Sequence, residues 1–324
     1  MELAVQASLE KGVTSFHDAG EPFASIDTIK KFAADGRLGV RLFVMMRDSV
    51  DNLKANVAKY KAVGLNGNHL TIASIKMVAD GALGSRGAWM LSPYSDSPSS
   101  VGLPTTPMES IAEISRLALE AGVQLCVHAI GDRANREVLN TYERAYKSRP
   151  DLKDLRWRVE HAQHIDPADI PRFGQLGVIP AMQGIHATSD APYVLARLGP
   201  QRAEASAYVW QKLMKTGAII ANGTDVPVER IDPMANFYAT VTRKTKDGSV
   251  FFGDQKMSRE EALKSYTWNG AYAAKEEALK GSITVGKLAD ITVLSKDIMT
   301  IPEDQIPSTT AVYTIVGGKI VYQR

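Results

Sequence analysis

The sequence predicts an α/β fold built around a parallel sheet of the barrel type. Short apolar runs alternate with longer segments of helical period along most of the chain, and such alternation is typical of successive strand–helix units. A glycine stands between a helical segment and the next apolar run at Gly12, Gly122, Gly177 and Gly217, where it can end the helix in a left-handed conformation. Polar residues recur near the C-terminal ends of the apolar runs, which is the face where such barrels carry their chemistry.

Seven apolar runs are the predicted strands of this sheet. Their nearly continuous hydrophobic character indicates that both faces of the sheet are covered. A closed barrel of this class has eight strands, so the pattern is one strand short. The predicted strands are Val13–His17, Arg41–Met46, Ile72–Val78, Val123–His128, Leu155–His161, Val178–Gln183 and Ala218–Asn222, and helices are predicted at Met1–Glu10, Ser110–Ala121 and Arg133–Lys147.

Two regions depart from this alternation. The segment Ser92–Pro107 is rich in serine and proline and is too long for an ordinary connection, so we expect a lid over the site or a disordered excursion. After Lys280 the pattern becomes that of β-strands, and Gly317-Gly318 predicts a hairpin turn. Two or three strands cannot form an independent core. We therefore predict a barrel domain at residues 1–280 and part of a small β-sandwich at residues 281–324.

Composition and charge argue against several classes of partner. The formal net charge is +2 and the basic residues are dispersed, so nothing indicates nucleic-acid binding. No apolar run approaches the length of a membrane span, and the N-terminus lacks the layout of a signal peptide. Cys126 is the only cysteine, which excludes an intrachain disulfide and fits a reducing compartment. We therefore expect a cytoplasmic protein that acts on a small molecule.

Four polar residues mark the candidate site. Lys76, His128, His161 and Asp225 each lie near the end of a different predicted strand. Neutral imidazoles suit zinc and similar divalent ions, and the Asp225 carboxylate can bind a metal or act as a base toward metal-activated water. Lys76 fits such a site only if a carboxylate compensates its charge or if it becomes a carbamate, whose anionic oxygens can bridge two metals. The pattern predicts a metal-dependent hydrolase.

Several stretches of sequence also resemble a known family. The chain is similar to the amidohydrolase superfamily, in particular to the amidohydrolase-3 branch that contains N-substituted formamide deformylases. The resemblance implies a TIM-type (β/α) barrel with a flanking β-sandwich, a metal site at the strand ends, and hydrolysis of non-peptide C–N bonds in small amides. The stretches that carry it are GVTSFHDAG, IKMVADGALGSRGA, PYSD, VHAIGDRA, RVEHAQH, MQGIHATSD, NGTDVP and GSITVGKLADITVL.

The resemblance also implies roles for the four candidate residues. Lys76, carried as a carbamate derived from CO2, would bridge the metals, which are expected to be divalent ions and most simply zinc. His128 and His161 would bind one metal, and Asp225 would be both a ligand and the catalytic carboxylate. Without metal we expect an ordinary lysine at Lys76, ion-paired to Asp225.

Contacts with the substrate are expected from three further residues. His186 lies at the end of a predicted strand, and Arg86 and Trp89 follow the Lys76 strand. Arg86 can face a carboxylate of the substrate or form an ion pair with Asp80 that braces the base of the lid.

One family motif is absent from the chain. Members carry His-x-His at the end of the first barrel strand, and no such pair occurs here. We therefore expect an N-terminally truncated member that lacks the first barrel strand. The alternatives to an active enzyme with the full metal site are an inactive chain, a mono-metal hydrolase, and a non-catalytic barrel that binds a small molecule or a partner chain. The strands Val13–His17 and Ala218–Asn222 would then have unpaired edges, which predicts a homo-oligomer.

Overall fold

The computed structural model describes residues 1–324 and shows the α/β fold that the sequence predicts. Seven parallel strands, in the order β1-β2-β4-β5-β6-β7-β8, curl as an open half-barrel, and a short strand, β3, pairs antiparallel with β4. The strands of this sheet are β1 (Ser15–Glu21), β2 (Arg41–Met46), β3 (Ala62–Gly64), β4 (Leu70–Val78), β5 (Gln124–Ala129), β6 (Arg158–His161), β7 (Ile179–Met182) and β8 (Ala221–Asn222).

All seven predicted strands are present, with differences at their ends. The bounds of β2 are those predicted, whereas β8 is much shorter than the predicted Ala218–Asn222. Ala218 and Ile220 are buried but lie outside the strand, because the parallel pairing with β7 includes only Ala221 and Asn222. The strands β1 and β8 each have a neighbour on one side only. The two unpaired edges that the sequence predicted are therefore confirmed.

Helices connect the strands and cover the outer face of the sheet. Helix α5 shows how the sequence determines this packing, because Ile111, Ile114 and Ala118 lie on one face and are fully buried, and Gly122 ends the helix with a φ of 61°. The helices are α1 (Glu2–Glu10), α2 (Phe23–Ala34), α3 (Val50–Tyr60), α4 (Leu65–Asn68), α5 (Met108–Ala121), α6 (Asp132–Ser148), α7 (Ile170–Leu176), α8 (Gly184–Leu198), α9 (Pro200–Ser206), α10 (Trp210–Met214), α11 (Pro233–Thr242), α12 (Arg259–Tyr266) and α13 (Trp268–Ala273), with 3-10 turns at Gly253–Gln255 and Glu303–Ser308. None of them combines the length and hydropathy needed to cross a bilayer.

The C-terminal part forms a separate antiparallel sheet in the order β11-β10-β9. Its strands are β9 (Ile291–Leu294), β10 (Ala311–Val316) and β11 (Lys319–Gln323), and the hairpin turn predicted at Gly317-Gly318 joins the last two. The same region contributes Ile298 and Ile306 to the main hydrophobic core. The division at residue 280 into two domains stays a prediction.

The segment Ser92–Pro107 contains no helix or regular strand, but it is packed against the protein. Tyr94 is buried, and Arg202 donates hydrogen bonds to the carbonyl oxygens of Ser92 and Pro93 at 3.0 and 2.9 Å. This packing differs from a disordered excursion. A large cavity opens at the C-terminal ends of the parallel strands, and no residue of the segment lines it, so the structure gives the segment no lid position.

Candidate metal centre

The candidate ligands lie at the C-terminal ends of four strands or just beyond them. These positions bring them to one face of the half-barrel. The register pairs Val78 with His128 and Ala129 with His161, so the ends of β4, β5 and β6 lie at a common level. Lys76, His128, His161 and Asp225 all line one cavity of about 1260 Å³. All four residues that the sequence singled out therefore line one cavity, and their roles stay predictions.

A cluster of three side chains within this cavity can hold a metal ion. The ligand atoms of His161, His186 and Asp225 all lie within 4.8 Å of one another. Nε2 of His186 is 3.7 Å from Oδ2 of Asp225, and the rings of His161 and His186 are stacked with their centroids 6.1 Å apart. Two imidazoles and a carboxylate form a donor set that suits zinc and similar ions.

His128 lies beside this cluster. Its ring meets the ring of His161 edge-on, with centroids 4.5 Å apart, and its Nε2 is buried without a hydrogen-bond partner. Burial lowers the pKa of His128 to about 3, with a further contribution from the charge of Lys76. Burial also lowers the pKa of His161, helped by His128 and Lys76. Both imidazoles are therefore neutral at physiological pH, which is the form that binds a metal.

A hydrogen bond with Gln183 fixes the orientation of the His161 ring. Its Nδ1 hydrogen-bonds to Oε1 of Gln183 at 2.8 Å, and the amide nitrogen of Gln183 contacts the carbonyl oxygen of Ala181 at 3.3 Å. Because the glutamine oxygen can only accept, Nδ1 of His161 carries the proton and its Nε2 is left with a lone pair. The backbone of His161 and Asp225 is left-handed, with φ of 75° and 60°, which is a strained conformation often found at functional sites.

Lys76 is buried among charged groups but is not paired with Asp225. Burial lowers the pKa of its ammonium group, and the nearby carboxylate of Glu160 opposes this effect. Glu160 itself is paired with Arg158 at 2.8 Å. The side chain nearest the Asp225 carboxylate is His186, with Nε2 3.7 Å from Oδ2, and burial raises the pKa of Asp225 while His186 and Lys76 oppose the rise. The expected ion pair between Lys76 and Asp225 is therefore absent, because the carboxylate lies toward His186.

The three predicted substrate contacts have different surroundings. His186 is buried at the start of α8 and lines the cavity. Arg86 instead binds Asp96 at 3.0 Å, and Trp89 lies 4.6 Å below the guanidinium group of Arg133. Neither Arg86 nor Trp89 lines the cavity.

The predicted ion pair between Arg86 and Asp80 is wrong. Asp80 accepts backbone N–H groups from Trp89, Ile130 and Gly131 at 2.8, 3.0 and 2.8 Å, and one of its oxygens is 3.6 Å from Nε2 of His128. The carboxylate is therefore used to join two strand-end loops behind His128. Burial raises its pKa to about 7, although these three N–H groups oppose the rise.

Two glutamines that contact the histidines of the site were not among the candidate residues. Gln183 binds His161, and Gln163 lies with its Nε2 3.0 Å from Nδ1 of His186. Both glutamines are buried. The sequence did contain a signal for both. Gln183 stands at the end of a predicted strand, and Gln163 follows His161 by two positions, so each is expected to face the site.

Comparison with known proteins gives a consistent result. The model of the amidohydrolase-3 branch of the amidohydrolase family matches residues 1–322. YtcJ of Bacillus subtilis (strain 168) is 31% identical over 99% of this chain and 60% of its own length. The N-substituted formamide deformylase of Arthrobacter pascens is 26% identical over 66% of this chain and 40% of its own length.

A solved structure has the same fold. The crystal structure of an uncharacterized metal-dependent hydrolase from Pyrococcus horikoshii OT3 superimposes with a TM-score of 0.81 and 28% identity, covering 94% of this chain and 60% of that one. The present chain thus spans about three-fifths of the length of YtcJ and of this hydrolase.

Proposed function

The chain belongs to the amidohydrolase family, and from that membership we propose that it hydrolyses a non-peptide C–N bond, of the amide or formamide type, in a small molecule. Its likeness to metal-dependent hydrolases and to a formamide deformylase supports this reaction class. The observation that carries the proposal is the meeting of His161, His186 and Asp225 in one cavity with neutral His128 beside them.

The residues present fit a divalent ion, and zinc is the ion we propose. Nε2 of His161 has a free lone pair, the Asp225 carboxylate lies within 4.8 Å of that histidine's ligand atom, and the neutral ring of His128 lies beside His161. We propose that these three residues hold the ion. When bound, such an ion lowers the pKa of a coordinated water and polarises a carbonyl group. One cluster of this size favours a mono-metal form of the chemistry.

Asp225 is the proposed catalytic residue. Burial raises the pKa of its carboxyl group in the metal-free protein, and its place beside the candidate ligands lets it accept a proton from water. In the proposed reaction the oxygen of water attacks the carbonyl carbon while Asp225 accepts the proton of that water. Asp225 then delivers the proton to the nitrogen as the C–N bond breaks.

Lys76 is the residue whose chemical state depends on the metal in this proposal. As a free ammonium it is compensated by Glu160, whose attraction opposes the effect of burial on its pKa. With the metal bound we propose that Lys76 carries a carbamate formed from CO2. Intact-protein mass spectrometry with bicarbonate and zinc should show an added CO2 that the Lys76→Met variant lacks.

The proposed location is cytoplasmic, and the proposed assembly is a homo-oligomer. The single thiol, Cys126, is fully buried, and a protein without disulfides fits a reducing compartment. The one-sided pairing of β1 and β8 supports self-association.

The function is tested with zinc-loaded protein and its chelator-treated form. We expect turnover of N-substituted formamides or N-acyl compounds, monitored as release of the amine, and loss of turnover after chelation. The Asp225→Asn variant should retain its fold and lose turnover. The matched control is His69→Ala, because His69 is half-buried, contacts the carbonyl oxygen of Val40 and does not line the cavity. Zinc binding without turnover of either substrate class would favour the barrel that only binds a ligand.

A further inference from the structure

Two buried glutamines contact two histidines of the site, one through its amide oxygen and the other through its amide nitrogen. Oε1 of Gln183 lies 2.8 Å from Nδ1 of His161, whereas Nε2 of Gln163 lies 3.0 Å from Nδ1 of His186. An amide oxygen accepts a hydrogen and an amide nitrogen donates one. With the amides in these orientations, of which that of Gln183 is also held by the contact of its nitrogen with the carbonyl oxygen of Ala181, Nδ1 is a donor in His161 and an acceptor in His186.

This difference assigns opposite tautomers to the two rings. A neutral imidazole carries one N–H, so the proton of His161 is on Nδ1 and that of His186 is on Nε2. His161 consequently presents a lone pair to the cavity, which is what a metal needs. His186 presents an N–H, which a metal cannot bind, so in this tautomer only His161 and Asp225 of the three-residue cluster remain as ligands.

The position of Asp225 agrees with this tautomer of His186. Nε2 of His186 is 3.7 Å from Oδ2 of Asp225. A lone pair on Nε2 would face the carboxylate and repel it, whereas an N–H attracts it. The distance is nevertheless too long for a good hydrogen bond, and Nε2 is buried without a partner. The cavity therefore contains a donor that still needs an acceptor.

We propose that His186 donates this N–H to the carbonyl oxygen of the substrate, and that Gln163 is the positioning residue that holds His186 in the required tautomer. The inference rests on the proposed hydrolysis of an amide-type bond. When water adds to the carbonyl carbon, the π electrons of the C=O bond move to the oxygen, and the hydrogen bond from His186 stabilises the charge that develops there. Asp225 meanwhile accepts the proton of the water, so the two neighbouring groups serve different atoms.

Zinc content separates a donor from a ligand. We expect His186→Ala to keep the zinc content of the wild type and to lose about 10²- to 10³-fold in kcat, the usual effect of removing one such donor. His161→Ala should lose zinc. In His186→Gln, the amide N–H of the new side chain can take the place of the Nε2–H group, so kcat should recover in part.

Changing Gln163 tests the tautomer itself. In Gln163→Glu the carboxylate accepts a hydrogen from Nδ1 of His186 and leaves a lone pair on Nε2, so kcat should fall while zinc is held at least as tightly. Gln163 is replaced by a group of the same shape, so this variant also serves if His186→Ala fails to fold. Nitrogen-15 NMR of the imidazoles in metal-free protein should show a protonated Nε2 in His186 and a protonated Nδ1 in His161.

The outcomes distinguish this inference from the function on which it rests. Loss of zinc from His186→Ala to the same extent as from His161→Ala, or a protonated Nδ1 in His186 by NMR, would make His186 a ligand and overturn the inference. A wild-type protein that binds zinc but hydrolyses no amide or formamide would overturn the proposed function, whatever the tautomers.

Discussion

Arg41 and Asp290 form a buried, bidentate ion pair between the start of β2 and the C-terminal region. Nε of Arg41 is 2.6 Å from Oδ2 of Asp290, and Nη2 is 3.0 Å from Oδ1. The side chains are only 3% and 5% exposed, so water cannot replace either partner. Arg41 also donates to the carbonyl oxygen of Gly67, and Asp290 accepts the N–H of Gly317. One pair thus joins the half-barrel to the small sheet.

We predict that Asp290→Asn destabilises the protein by about 3–5 kcal/mol, because Arg41 is left as an uncompensated buried charge. Urea unfolding followed by circular dichroism measures the change. The control is Lys147→Ala, which removes an exposed i,i+4 pair with Glu143 and should leave the unfolding midpoint unchanged. Equal midpoints for the wild type and Asp290→Asn would contradict this role of the pair.

The contribution of Asp290 should depend on pH. Burial alone would raise the pKa of its carboxyl group, but hydrogen bonds from Arg41 and Gly317 lower it below the ordinary value of 3.8. A carboxyl group with a lowered pKa in the folded state stabilises the fold above its unfolded pKa, and this stabilisation is lost as pH falls through the folded pKa. The difference in unfolding free energy between the wild type and Asp290→Asn should therefore be constant near neutral pH and shrink below about pH 4. A difference that instead grew on acidification would show that the sign is wrong.

We predict that purified protein holds at most about one zinc ion per chain, since His128, His161 and Asp225 supply a single donor set. Elemental analysis after dialysis against zinc measures the ratio, and His161→Ala should lower it. His69→Ala again is the control, because this histidine does not line the cavity. Two tightly held ions per chain would require ligands that this site does not supply.

The unpaired edges of β1 and β8 should make the protein self-associate. Free N–H and C=O groups along an edge strand pair readily with another chain. Light scattering at micromolar concentration should give a mass above that of one chain, and the amides of Ser15–Glu21 should become more protected from hydrogen exchange as the concentration rises. A monodisperse monomer with these amides already protected would contradict the prediction.

The sequence could place the candidate ligands at strand ends because that prediction needs only local information. His128 and His161 each end an apolar run, and parallel strands in sequence order bring such ends together. The roles of Asp80 and Arg86 were not predictable in the same way. Their partners depend on the conformation of the loops. In that conformation Asp80 accepts three backbone N–H groups and Arg86 pairs with the carboxylate of Asp96.

The sequence pattern could place the two glutamines at the site, but it could not assign each of them to its histidine. Gln163 and His186 are 23 residues apart, and their contact depends on how β6 and α8 are packed. The short length of β8 has a similar origin, because a strand at the open edge of a sheet is paired only as far as its single neighbour allows.

The packing of α1 has a consequence for synthesis. Leu9 lies in one apolar cluster with Val40 and Val316, and its carbonyl oxygen accepts a hydrogen bond from Thr314. A ribosome adds about 5–20 residues per second, so the first helix leaves the exit tunnel many seconds before its last partners exist. Nascent chains halted before Thr314 should therefore leave the first helix sensitive to protease. Until then, a chaperone has the opportunity to bind its apolar face.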